Sequence, residues 1–180
     1  MVTHIAGRGV MPGGPGPGSV ATRRSWSRWA YVAASTVGLC LVVRVAVLEP
    51  RQVASESMEP TLHPGSVVLI DKLGPRLRGV QREDVVVFRN PQDGRAAVKR
   101  VVALAGQQVA IRDAELFVDG SRVVEPQVDR SRIDGTWFGP VVVPEGSVFV
   151  LGDARSGSVD SRVFGPVPLG AVVGRVALAW

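Results

Sequence analysis

Hydrophobic positions fall in two different patterns along this 180-residue chain. Between Trp29 and Leu48 they run almost unbroken, WAYVAASTVGLCLVVRVAVL, with Arg44 as the single charge. A helix of that length rises about 30 Å, the thickness of bilayer hydrocarbon, so the run predicts one membrane-spanning helix over residues 29–48. Arg44 lies about a turn from the outer end, where its side chain can snorkel to water. From Ser66 onward the pattern changes to short β-branched runs set apart by turn signals: SVVLID, EDVVVFR, AAVKRVVAL, QQVAIRD, ELFVDG, SVFVLG and AVVGRVALAW. Gln108 to Val118 alternates as a hairpin would, with Arg112, Asp113 and Ala114 at its tip, and Asp119-Gly120 marks the next turn. No long amphipathic helix and no repeat follow residue 49. The pattern predicts an all-β domain over residues 49–180.

Charge refines the topology. The net charge is +5, and residues 1–44 hold Arg8, Arg23, Arg24, Arg28 and Arg44 with no acid, so the whole excess sits on or beside the apolar run. A basic nucleic-acid-binding face on the β domain is therefore not expected. Arg23, Arg24 and Arg28 place the N-terminus in the cytoplasm by the positive-inside rule, with Trp26, Trp29 and Tyr31 at the inner interface. That makes the chain a single-pass plasma-membrane protein with its β domain outside. Residues 1–28 read as a disordered cytoplasmic tail, because GRGVMPGGPGPGS at 7–19 cannot build a core. A cleavable leader would have a shorter apolar stretch and a small-x-small site, whereas Glu49, Pro50, Arg51 and Gln52 follow here. Cys40, alone in the sequence, falls inside the run and can form no intrachain disulfide. With two distant histidines, His4 and His63, no zinc set is available, and no cofactor is expected.

The chemistry begins with two lysines among twenty-one basic residues. Lys99 stands in AVKRVVAL, flanked by Ala96, Ala97, Val98, Val101 and Val102. Guanidinium cannot be deprotonated in a protein, but an ammonium buried among apolar groups can approach neutrality and act as a base. Serine needs such a base to become a nucleophile. Ser57, in SESMEPTL, is the candidate; His63 is too near it in sequence to serve as base without an unusual turn.

Together these segments resemble the type I signal peptidases, membrane-bound Ser/Lys endopeptidases that remove signal peptides. The resemblance runs through SESMEPTLHPGSVVLIDK, REDVVVF, AVKRVVALAGQQVAIRD and VPEGSVFVLGDARSGSVDSRVFGPV. It implies an antiparallel coiled β-sheet catalytic domain behind a single N-terminal transmembrane helix. It further implies Ser57 as nucleophile, Lys99 as general base, Ser55 as an oxyanion donor beside the Ser57 backbone N–H, and Ser158 as the group orienting the lysine amine. Arg100 with Asp153, and Asp160 with Arg162, would brace the site, Met58 would pack beneath it and Pro60 would stiffen its turn. Substrates would be preprotein signal peptides cut after small residues (Ala-x-Ala), with phospholipid around the anchor and the secretion translocon nearby.

The chain departs from the family pattern in three places, one of them structural: Ser66, after Gly65, where an aspartate is usual. Ala103, Ala105 and Gln107 stand where glycine, proline and aspartate are usual, which puts that turn in question. Ala154, Ser156 and Gly157 replace three polar side chains near the site. Two rivals follow: a relative dedicated to one exported substrate, and a catalytically weakened one serving membrane assembly.

Overall fold

The computed structural model describes residues 21–128 and 137–180; in the first helix, side chains are described at residue 26, at 28–41 and at 47. Residues 1–20 of the expected tail lie outside that set. The chain divides into two units, residues 1–42 and 43–180.

Helix α1 spans Ala21–Val47, and Trp26, Trp29, Tyr31, Val32, Val37, Leu39 and Leu41 are exposed on it. Among the described residues no helix is long and apolar enough to cross a membrane. The expected helix end at Leu48 moves by one residue, because Leu48–Gln52 forms strand β1. Pro50 disfavours helix at Glu49 and is tolerated in β1 because β1 is an edge strand.

Among the described residues ten further strands follow: β2 (Val67–Asp71), β3 (Val85–Arg89), β4 (Ala96–Leu104), β5 (Gln108–Arg112), β6 (Glu115–Val118), β7 (Ser121–Arg122), β8 (Trp137–Val142), β9 (Ser147–Leu151), β10 (Val167–Pro168) and β11 (Val172–Ala179). They make a seven-stranded sheet in the order β1-β2-β11-β3-β4-β9-β10 and a four-stranded sheet in the order β7-β6-β5-β8. Every pairing is antiparallel. Register shifts place an extra residue in β4, β8 and β11, and such bulges bend strands and increase local twist. The fold is thus mostly β, around a curled antiparallel sheet. Only two short α-helices interrupt the described β region, α2 (Gly74–Arg78) and α3 (Ser161–Phe164).

The hairpin expected over Gln108–Val118 is present. Asp113 and Ala114, at φ 47° and 66°, form its two-residue turn, and Arg112 pairs with Glu115 inside the ladder rather than capping the tip. The turn that lacks the usual glycine, proline and aspartate is also built. Gln107 Oε1 accepts the Leu104 N–H at 2.9 Å while its Nε2 donates to Asp119, and Ala103 is fully buried.

Three apolar clusters fix the layers. One, with Val109, Leu116 and Phe149, joins the two sheets. Another holds Val86, Phe88 and Val150. The third, Val53, Met58, Leu62, Val68, Ile70 and Val87, lies beneath the turn that carries Ser57.

Candidate active site

A single 3-10 turn, Glu56–Met58, presents Ser57. Ser55 caps it, its Oγ accepting the Ser57 N–H at 3.1 Å, and the same hydroxyl donates to Ser57 Oγ at 2.9 Å. Met58, 1 % exposed, anchors the turn in the core. The Ser57 carbonyl in turn accepts the Ala154 N–H, which ties the turn to the loop after β9.

Lys99 reaches this turn from the middle of β4. Its Nζ lies 2.6 Å from Ser57 Oγ and donates to the Val98 carbonyl at 3.1 Å. The side chain is buried, and loss of hydration pulls its pKa down from 10.5 to about 8. Asp160, then Asp153, push the other way by favouring the ammonium, and Arg162 adds to the lowering. Desolvation wins, so a substantial neutral fraction exists near pH 8.

The second strand-to-loop segment is a lattice of buried charge. Arg100 makes a two-pronged contact with Asp153, Nε to Oδ1 at 2.8 Å and Nη2 to Oδ2 at 2.7 Å. Arg162 does the same with Asp160, at 2.9 and 3.0 Å. Asp153 and Asp160 are 1 % and 0 % exposed, so these are desolvated, bidentate pairs rather than surface contacts. Asp160 also caps α3 and accepts the Gly152 N–H. Gly152 is required by space: a Cβ there would collide with Ser158 Oγ and the Ser57 carbonyl.

The residues marked from sequence thus converge, with one difference in detail. Ser158 Oγ donates to Asp160 Oδ2 at 2.9 Å, and among the described residues its hydrogen bond is to that carboxylate and not to Lys99. His63 is exposed, 3.4 Å from Glu59, with no part in the Ser57–Lys99 contact. Three residues given no role from sequence belong to the lattice. Thr61 donates to Asp153 Oδ2 at 2.5 Å, Arg155 donates to the Gly152 carbonyl, and Glu125 accepts from Arg155. Thr61 and Arg155 lie inside the quoted motif blocks, whereas Glu125, in VVEPQV, carries no local signal beyond an acid among valines.

Two recesses open on Ser57. One, of about 220 Å³, is lined by Val53, Met58, Val68, Val87, Ala97 and Lys99 among others, and is mainly apolar. The other runs past Ser55, Glu56, Glu59, Ala154 and Gly157.

Comparison with known proteins shows the family of the chain. Residues 26–180 match the family described as signal peptidase, peptidase S26. The chain is 34 % identical over 152 residues to Signal peptidase I of Bacillus licheniformis, covering 80 % of this chain and 82 % of that one. It is 33 % identical over 215 residues to Signal peptidase I of Mycobacterium tuberculosis, covering 88 % and 73 %. A crystal structure of a signal peptidase I from Enterococcus faecalis gives a TM-score of 0.48 at 32 % identity, covering 54 % of this chain and 97 % of that one. The chain belongs to the peptidase S26 signal peptidase family. It is a serine endopeptidase that acts on signal peptides.

Proposed function

We propose that this protein cleaves preprotein signal peptides with a Ser57–Lys99 dyad. The observation that carries the reading is the 2.6 Å approach of Lys99 Nζ to Ser57 Oγ inside a desolvated site. In the neutral state Lys99 accepts the Ser57 proton as the hydroxyl attacks the scissile carbonyl, and later returns it to the leaving amine. The Ser57 N–H and Ser55 O–H, which bond within the 3-10 turn in the free site, turn to the developing oxyanion. Arg100, Asp153, Asp160, Arg162 and Ser158 hold the lysine strand and the loop after β9 in register.

An Ala-x-Ala preference is part of this reading on the strength of the family resemblance, and the recess beside Lys99 offers a place for the peptide. Pairing of β4 with β9 begins at Arg100, so the 96–99 stretch of β4 is paired only to β3 and leaves an edge for an extended peptide. The recess lined by Val53, Met58, Val87 and Ala97 is mainly apolar and suits uncharged apolar side chains of such a peptide.

The apolar run 29–48 then serves as an uncleaved membrane anchor in phospholipid, near the translocon that delivers substrates. It is supported by the exposed apolar side chains on α1 and by continuation of the run through Val42, Val43, Val45 and Ala46. The test is cleavage of a preprotein bearing an Ala-x-Ala site, in detergent with phospholipid, by wild type, Ser57→Ala and Lys99→Ala. Cleavage by wild type alone is expected; equal cleavage by either variant would refute the dyad.

A further inference from the structure

Seven described residues are buried while polar or charged: Lys99, Glu125, Asp153, Arg155, Ser158, Asp160 and Ser161. Six belong to β4 or to the segment from the end of β9 into α3. Glu125 alone comes from elsewhere, the segment that leaves β7 of the small sheet. Its carboxylate, 9 % exposed, is the ion-pair partner of Arg155, which is 3 % exposed.

Arg155 is connected at both ends to the catalytic loop. Its Nε donates to the Gly152 carbonyl at 3.1 Å, and its own carbonyl accepts Arg162 Nη2 at 2.7 Å. Gly152 donates its N–H to Asp160 Oδ2 and abuts Ser158 and the Ser57 carbonyl. Arg162 grips Asp160. Glu125 is also close enough to Arg100 to favour its charged form, and both line a recess with Arg82 and Glu83.

We propose that Glu125 is a positioning residue for the Ser57–Lys99 dyad: its carboxylate holds Arg155, and through Gly152 and Arg162 that contact sets Asp160 and Ser158 against the lysine. The proposal rests on the dyad reading above. A buried arginine that loses its carboxylate is strongly destabilised, and a neighbouring carboxylate drawn to it would relieve that cost. The carboxylates of the same lattice are Asp153 and Asp160, the two that favour the Lys99 ammonium. Drawing either toward Arg155 withdraws that support, so removing Glu125 lowers the lysine's pKa although Glu125 does not touch it. The charged groups facing Lys99 are Asp160, Asp153 and Arg162, and those facing Glu125 are Arg155 and Arg100.

Because the chain has only Lys72 and Lys99, full-length protein labelled with 13C at lysine Cε gives two resonances, assigned with Lys72→Arg. In Glu125→Gln the Lys99 titration is expected to move down by about half a pH unit, the acid limb of kcat/KM to move with it, and kcat to fall roughly tenfold with KM nearly constant. Glu125→Asp keeps the charge one methylene short and is expected to shift the same way by less; it decides the matter if Glu125→Gln does not fold. Wild-type titration and kcat in the folded variants, with only a lower Tm, would make Glu125 a structural ion pair and overturn the proposal. Wild type and Ser57→Ala assayed beside them keep the two readings apart. Failure of wild type to cleave would count against the peptidase reading, while the Lys99 resonance would still decide the role of Glu125.

Discussion

The two sides of Lys99 are built from opposite materials. Toward Val53, Met58, Val87 and Ala97 it meets an apolar recess; toward the loop after β9 it faces Asp153, Asp160 and Arg162, the two carboxylates almost fully desolvated. The apolar side lowers the lysine's pKa and the carboxylates raise it, with the first effect larger. The contrast shows why the counter-charges are themselves paired. A bare Asp160 would hold the ammonium too firmly, whereas Asp160 clamped by Arg162 orders the loop and leaves the lysine able to lose its proton.

The largest expected effect comes from removing the base while keeping the charge. Lys99→Arg should lose at least about a thousandfold in kcat, as Lys99→Ala does, because guanidinium cannot accept the serine proton. Preprotein cleavage assays on purified protein would show it.

Breaking the charged side comes next. Asp160→Asn breaks the two-pronged ion pair between a fully buried carboxylate and Arg162 and should lower stability by about 3 kcal/mol, read by denaturant unfolding. In the folded fraction the acid limb of kcat/KM should move to lower pH, since the carboxylate that most favours the ammonium is gone.

Breaking the apolar side should do the reverse. Ala97→Asp places a carboxylate in the recess that Lys99 lines, so the Lys99 titration should rise and activity at pH 7 fall by roughly tenfold per unit. The smallest effect belongs to Gln107→Ala, far from the chemistry. It frees the Leu104 N–H and should cost about 1 kcal/mol in thermal unfolding with little change in kcat.

Stability should also report on the lysine. Its folded pKa lies near 8, below the usual 10.5, so burial of the ammonium weighs against folding below pH 8. That cost is relieved as pH rises from about 8 to 10.5.

Local signals carried much of this architecture. The runs SVVLID, AAVKRVVAL and SVFVLG correspond to β2, β4 and β9 because β-branched residues bounded by turn formers encode strands within a few positions. β1 was hidden because LEPRQ has neither alternation nor β-branching, and its place comes from pairing with β2. β8, WFGPVV, was hidden by Gly139-Pro140. Ser57 and Lys99 were legible through motif and lysine scarcity. The burial of Asp153 and Asp160 was not, since identical residues on a surface would form weak pairs. Nor was Glu125, which meets Arg155 thirty positions away, a separation with no periodic trace.

The pH dependence of kcat/KM for an Ala-x-Ala preprotein, measured on the full-length wild type from pH 5 to 10, tests the dyad most directly. With Lys99 as base the rate climbs tenfold per pH unit on the acid side and levels near the Lys99 pKa of about 8. A rate flat from pH 5 to 8 would contradict a lysine base.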